Sequence, residues 1–197
     1  MRASCRRYST GWWLAIILVS GGSPRVLAAD AQLVPPPSER ALELMRQLDT
    51  TDPYQQEMTF LRLEALRETA SSSHIRKYLT ERNPDKRAWA LRALASIEGV
   101  AAVPLLIRSV QNDREPRVRI AALLGLEPLQ PSDPSILPVF LKALKDKHPY
   151  VRMAVVDIVS RIDDPRAREA VLTRQQRERN GDVRRVVALA VARVQSP

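Results

Sequence analysis

Apolar residues along this chain recur at helical spacing, and no segment alternates with period two over a useful length, so the pattern predicts helices and no strands. Ser38 is a good N-cap with Glu39 behind it, and the first predicted helix runs to about Leu48 with Leu42, Met45 and Leu48 on one face. The run Asp49-Thr50-Thr51-Asp52-Pro53 then breaks the chain. A helix over about 54–69 places Met58, Leu61, Ala65 and Leu66 along one stripe, and one over about 72–82 carries Ile75, Tyr78 and Leu79. Beyond residue 83 the pattern becomes regular. First helices are predicted at 84–98, 116–127, 149–162 and 183–195, and second helices at 100–111, 134–145 and 165–178. Pro104 and Pro138 fall in equivalent first turns, where a missing N–H costs nothing.

The regularity has a period. Arg87, Arg119, Arg152 and Arg184 recur at intervals of 32, 33 and 32 residues. Six residues before each stands a carboxylate, Glu81, Asp113, Asp146 and Glu178, and ten residues after each stands Ile97, Leu129, Ile162 or Val194. A fixed period near 33 marks a solenoid, whose units bury their apolar faces only by stacking on their neighbours. A turn carboxylate can accept N–H bonds at the following helix start, and an arginine one turn into that helix can bond carboxylates of its own and the adjacent layer. The four arginines are therefore expected to be internal glue.

The unit Asp113-x-x-Pro116-x-Val118-Arg119-x-x-Ala122-x-x-x-Leu126 resembles the HEAT repeat, in the short bacterial form similar to the phycobilin-lyase type. Asp146-x-x-Pro149-x-Val151-Arg152 fits the same unit, while Asn83-Pro84-Asp85-Lys86-Arg87 and Asn180-Gly181-Asp182-Val183-Arg184 fit it more loosely. The resemblance covers about 52–197, with 38–49 as an N-terminal cap, and it implies an all-α, right-handed α-solenoid of stacked helical hairpins. It implies a ladder between carboxylate and arginine of adjacent units, and second helices along the concave face. Residues 52–82 lack the arginine, and the last unit stops after its first helix.

The start of the chain departs from this plan. Arg2, Arg6 and Arg7 precede the apolar stretch Trp12–Val19, and small residues lead to Val26-Leu27-Ala28-Ala29. That is the layout of a signal peptide over 1–29, cleaved after Ala28 or Ala29, with an uncleaved anchor as the alternative. Residues 30–37 form an extended Pro-rich leader, and 38–197 the repeat domain. Cys5 leaves with the signal, so the remaining chain has no thiol or disulfide chemistry. Export without disulfides suits a bacterial periplasm.

Composition adds a charge gradient. Residues 30–82 carry 7 basic and 9 acidic side chains, whereas 83–197 carry 20 and 13. Part of that excess forms a second register, Arg76, Arg108, Lys142 and Arg174, with Leu79, Gln111, Lys145 and Arg177 three residues on. On second helices these make a basic column suited to an acidic protein segment, or to an anionic polymer or phospholipid headgroups, against the plainer reading of a solvated face. Trp89 stands where later repeats carry Ala121, Ala154 and Val186, either as a partner-facing anchor or as filling at the N-terminal junction. No cofactor or metal site is expected. His74 and His148 are isolated, and Ser71-Ser72-Ser73-His74 reads as a helix cap. Nucleic acid is disfavoured by the lack of stacking aromatics near Arg174–Arg179. These patterns lead to the expectation of a protein-binding scaffold without catalysis of its own.

Overall fold

The computed structural model describes residues 35–195, so the expected signal peptide over 1–29 and the start of the leader lie outside the described residues. Within them the chain forms ten α-helices joined by short turns and 3-10 segments, with no strands. They are α1 (Glu39–Gln47), α2 (Pro53–Leu66), α3 (Ser72–Arg76), α4 (Pro84–Glu98), α5 (Val103–Asn112), α6 (Pro116–Leu126), α7 (Ile136–Ala143), α8 (Pro149–Val159), α9 (Pro165–Arg177) and α10 (Gly181–Gln195).

Local chemistry sets these boundaries. Ser38 caps α1 by accepting the Ala41 N–H at 3.1 Å, and Asp52, Asn83 and Asp164 cap α2, α4 and α9 in the same manner. Proline opens α2, α4, α6, α8 and α9, where its fixed φ is already helical. By length and composition, 84–112 could cross a membrane, but α4 ends at Gly99, whose φ of 57° is left-handed, and a 3-10 turn redirects the chain into α5. Residue 67 is the other turning point: Arg67 takes φ 53° and stops α2 three residues short of the expected end. The expected 72–82 helix is only one turn of α-helix followed by the 3-10 stretch Lys77–Thr80.

The helices stack as an all-α solenoid. α2, α4, α6, α8 and α10 pack in one row, and α5, α7 and α9 form a second row alongside it. α6 is buried almost all round, through Val118, Ala121, Ala122, Leu123 and Leu126, because it has a layer on either side. Gly125 brings α6 close to α4: a Cβ there would stand 3.0 Å from that of Ala95. Phe60, Leu63, Ile75 and Leu94 fill the N-terminal part of the core, while Leu106, Leu123, Ile136 and Phe140 fill the remainder. Burying about 1.5–3 kcal/mol per large side chain, these stacks supply most of the folding energy.

One expected face is wrong. α2 buries Gln56, Thr59, Phe60 and Leu63, whereas Ala65 is exposed and Met58 and Leu61 are only half-buried. The helix is apolar on two sides, and its stacking on α4 selects the side that carries Phe60. In α1, likewise, Ala41 and Leu44 join Met45 and Leu48 in the core and Leu42 is 43% exposed.

The layers are locked by charge. Arg87 donates from Nε and Nη2 to Asp113 at 3.0 and 2.9 Å, Arg119 to Asp146 at 2.8 and 2.8 Å, and Arg152 to Glu178 at 2.9 and 2.9 Å. The third nitrogen, Nη1, donates backwards to backbone carbonyls of its own turn: Glu81 and Arg82, Asp113 and Arg114, Asp146 and Lys147. Each arginine thus ties its own turn to the carboxylate of the next layer, the planar fork satisfying both at once. Its own layer contributes a carbonyl, not the carboxylate side chain. The Arg119 side chain is 4% exposed and that of Glu178 1%. Arg184, in the last layer, is exposed and has no such carboxylate among the described residues.

Removing one partner of a buried pair strands the other, at about 3–5 kcal/mol. Arg119→Ala should therefore lower stability in urea unfolding by about that amount, whereas Arg184→Ala should change it by less than about 0.5 kcal/mol. Equal losses would contradict the ladder.

Candidate functional site

The sorting of charges between the two rows defines the candidate surface. On the arginine-helix row, cations find acids in neighbouring layers beyond the ladder itself. Arg161 of the turn after α8 bonds Glu127 at 2.6 Å and Asp157 at 2.5 Å. Arg193 reaches back to Asp157 at 3.2 Å and to the Ser160 hydroxyl at 2.5 Å, Arg92 pairs with Glu64 at 3.5 Å, and Arg117 pairs with Asp85. Burial would raise the Asp157 pKa, but Arg161 and Arg193 outweigh it and hold the carboxyl below its usual range. Asp157 is a structural clamp between α8 and α10.

The second row differs. Arg108, Lys142, Lys145 and Arg177 are exposed, and none has a carboxylate within 4.0 Å among the described residues. Two of the expected column are not free. Arg76 is engaged by Glu98 at 2.5 Å, and Arg174 donates to Glu178 and to the Leu144 carbonyl, its side chain only 16% exposed. Arg174 therefore belongs to the ladder's last rung, which the 26-residue spacing from Arg152 to Glu178 could not disclose.

That rung is the most heavily bonded carboxylate in the described chain. Burial pushes the Glu178 pKa up, but the hydrogen bonds from Arg152, the Asn180 N–H and Arg174 hold it down at about 2. At Asp113 burial is likewise outweighed, by Arg87 and the Glu115 N–H, and its pKa also lies below the usual value.

Cavities open beside the free cations. One of about 410 Å³ lies between α7 and α9, walled by Leu141, Leu144, Ala170 and Thr173, with Lys145 and Arg177 on its rim. A second, of about 340 Å³, lies between α5 and α7 and is bordered by Val110, Val139, Lys142 and Lys145. Lys145 lines both, so the two form one grooved strip across the second helices. Sequence spacing located the cations but not the grooves, which depend on how far neighbouring second helices stand apart.

The remaining candidates fall elsewhere. Trp89 is half-buried against the N-terminal core, its ring 6.0 Å from that of Phe60, so it fills the junction rather than standing in the strip. Ser71 makes no capping bond to α3, which corrects the expected cap, and among the described residues the hydroxyls of Ser71 and Ser72 and Nε2 of His74 meet no hydrogen-bond partner. Burial, aided by Lys77, lowers the His74 pKa. The ladder position of α2, three residues after Pro53, is held by Gln56, which donates to the Leu48 and Thr50 carbonyls at 3.1 and 2.5 Å. Its proline spacing is the signal that equates Gln56 with Arg87, Arg119 and Arg152.

A family model of HEAT repeats matches residues 41–127 and 110–192, together most of the chain. The chain belongs to the HEAT-repeat family. It is 40% identical over 85 residues to the bilin biosynthesis protein RpcF of Synechococcus sp. (strain WH8020). The match spans 40% of this chain and 41% of that protein, about two fifths of the relative's length. Among solved structures, it is similar to the complex of CpcE and CpcF of phycocyanin lyase from Nostoc sp. PCC7120, with a TM-score of 0.64, 22% identity, and coverage of 76% of this chain and 96% of that one. This likeness shows the fold, and the resemblance to HEAT-like repeats of the phycobilin-lyase type holds.

These names correct the expectation of a scaffold without catalysis of its own, because they point toward lyase activity rather than a non-enzyme. The sequence relative is named for bilin biosynthesis, and the structural neighbour is a complex of phycocyanin lyase. The absence of a nucleophile or metal-ligand pattern in the sequence did not license that expectation, because fold and local motif do not fix function.

The low pKa of Glu178 has a signed consequence. A depressed carboxylate contributes stability that is present above its ordinary 4.5 and lost as pH falls toward about 2. Glu178→Gln should lower stability at neutral pH and flatten the acid unfolding curve between pH 4.5 and about 2. A variant whose acid profile overlays the wild type would contradict this assignment.

Proposed function

We propose that this HEAT-repeat protein is a partner-holding subunit that grips another protein along the row of second helices, in an assembly of the lyase-associated kind to which its relatives' names point. One observation carries the reading: among the described residues Arg108, Lys142, Lys145 and Arg177 have no carboxylate partners, and the last three border two adjoining apolar-walled grooves. A cation kept free beside apolar surface gains its counter-charge from a ligand, and protein partners supply both. A headgroup layer or a polyanion would need the charge but not the grooves. The acidic character of the partner follows from the same residues.

Export is part of the proposal and rests on the pattern of residues 1–29. N-terminal sequencing of the protein recovered from its native compartment should begin at Ala29 or Asp30. A chain beginning at Met1 or Arg2 would overturn cleavage.

Binding is tested with the triple variant Lys142→Glu, Lys145→Glu, Arg177→Glu, which leaves Arg174 and the ladder intact. It should fold with wild-type helicity and lose at least about tenfold in affinity for the wild-type partner, since reversed charges repel as well as fail to attract. Wild-type affinity in a folded variant would refute the second-helix surface. A steep loss of wild-type binding between low and physiological salt, unaffected by changes to the groove walls, would instead favour a polyanion or headgroup ligand.

A further inference from the structure

We infer that the grooved strip receives an acidic amphipathic helix of the partner protein, lying across α5, α7 and α9 with apolar residues about seven positions apart. The inference rests on the reading that this row binds a protein, and adds what that protein presents.

The shape of the strip is set by unequal helices. α7 ends at Ala143 after 8 residues, whereas α9 runs for 13 and overhangs that end, where Arg174 ties it to the Leu144 carbonyl at 3.2 Å. Leu141, Leu144 and Ala170 are left to wall the larger groove, and Val110, Val139 and Ala143 the smaller. Neighbouring packed helices stand about 8–10 Å apart, so successive grooves repeat at about that distance. An α-helix rises 1.5 Å per residue, and seven residues cover about 10 Å. Residues i and i+7 on one face therefore reach successive grooves, while an extended strand would overrun the spacing within three or four residues.

Charge sets the flanks. Lys142 and Lys145 stand beside the smaller groove, and Lys145 and Arg177 beside the larger, all without carboxylate partners among the described residues. The other rim charges are already accounted for: Arg166 is paired with Asp164, Arg174 with Glu178, and Asp146 of the smaller groove with Arg119, which leaves Glu169 as the one carboxylate lining the larger groove. Glutamates flanking an apolar stripe meet the three free cations. A helix with a basic flank would be repelled at both grooves.

The test uses the full chain and two labelled synthetic peptides of 21 residues and identical composition. One carries Leu at heptad spacing between Glu-rich flanks, the other the same residues shuffled. Fluorescence anisotropy should show the patterned peptide binding at least about tenfold more tightly than the shuffled one, with Lys145→Glu/Arg177→Glu removing that preference. Equal binding of both peptides, or a preference that survives the reversal, would overturn the helix assignment. A photo-crosslinking residue at Thr173 then addresses the native partner. Crosslinks mapped to an acidic heptad-patterned helix support the inference. Crosslinks confined to segments without that pattern overturn it and leave the partner reading standing, and crosslinks to no protein overturn both.

Discussion

The bidentate bond from an arginine in one layer to the turn carboxylate of the next is the constraint on which this fold depends. A hydrophobic stack alone fixes that layers touch, but leaves them free to slide, because Leu, Val and Ala surfaces are tolerant of small shifts. The guanidinium removes that freedom. At Arg119, Nε and Nη2 are committed to Asp146 and Nη1 to the carbonyls of Asp113 and Arg114, so one planar group sets its own turn and the distance to the next. Asp146 in turn accepts the His148 N–H at 2.8 Å and so holds the turn that starts α8. Helix start, layer spacing and register are thereby coupled through a single ion pair.

Locking one row of helices has a consequence for the other. The arginine helices are tied by the ladder and by the outer pairs of Arg161 and Arg193, and most of their charge, Arg184 excepted, is consumed internally. The second helices carry no comparable network between layers apart from Arg174, so they are free to present charge and to leave grooves between them. The frame and the surface assigned to binding in the proposed function thus fall on different rows. The division also accounts for the ends of the stack: Gln56 terminates the ladder at α2 without bringing a charge, and Arg184 ends it exposed.

Much of this could be read from the sequence, for identifiable reasons. The period of Arg87, Arg119, Arg152 and Arg184 disclosed the layers, and prolines and caps placed most helix starts to within a few residues. What failed were choices between two faces or two partners. α2 is apolar on both sides, so its buried face had to be decided by α4. Arg174 sits in a register shared with free cations, yet i,i+4 geometry and the overhang of α9 draw it into Glu178. Trp89 could anchor a partner by type, and only the position of Phe60 shows that it packs inward. The grooves had no sequence signal, since they are spaces between layers. The expectation of no catalysis failed for a different reason: it weighed local motifs of reacting side chains, and a repeat fold does not by itself exclude activity.

The claim that the ladder is the frame is tested most directly by a double-mutant cycle on Arg119 and Asp146, using Arg119→Ala, Asp146→Ala and the pair, with stability measured by urea unfolding. Residues in one ion-pair network couple by about 0.5–3 kcal/mol, and a buried bidentate pair belongs in the upper part of that range. A coupling energy of about 2 kcal/mol or more is the expected result. Additive losses, with coupling below about 0.5 kcal/mol, would show that the layers are held by apolar stacking alone and would contradict the account.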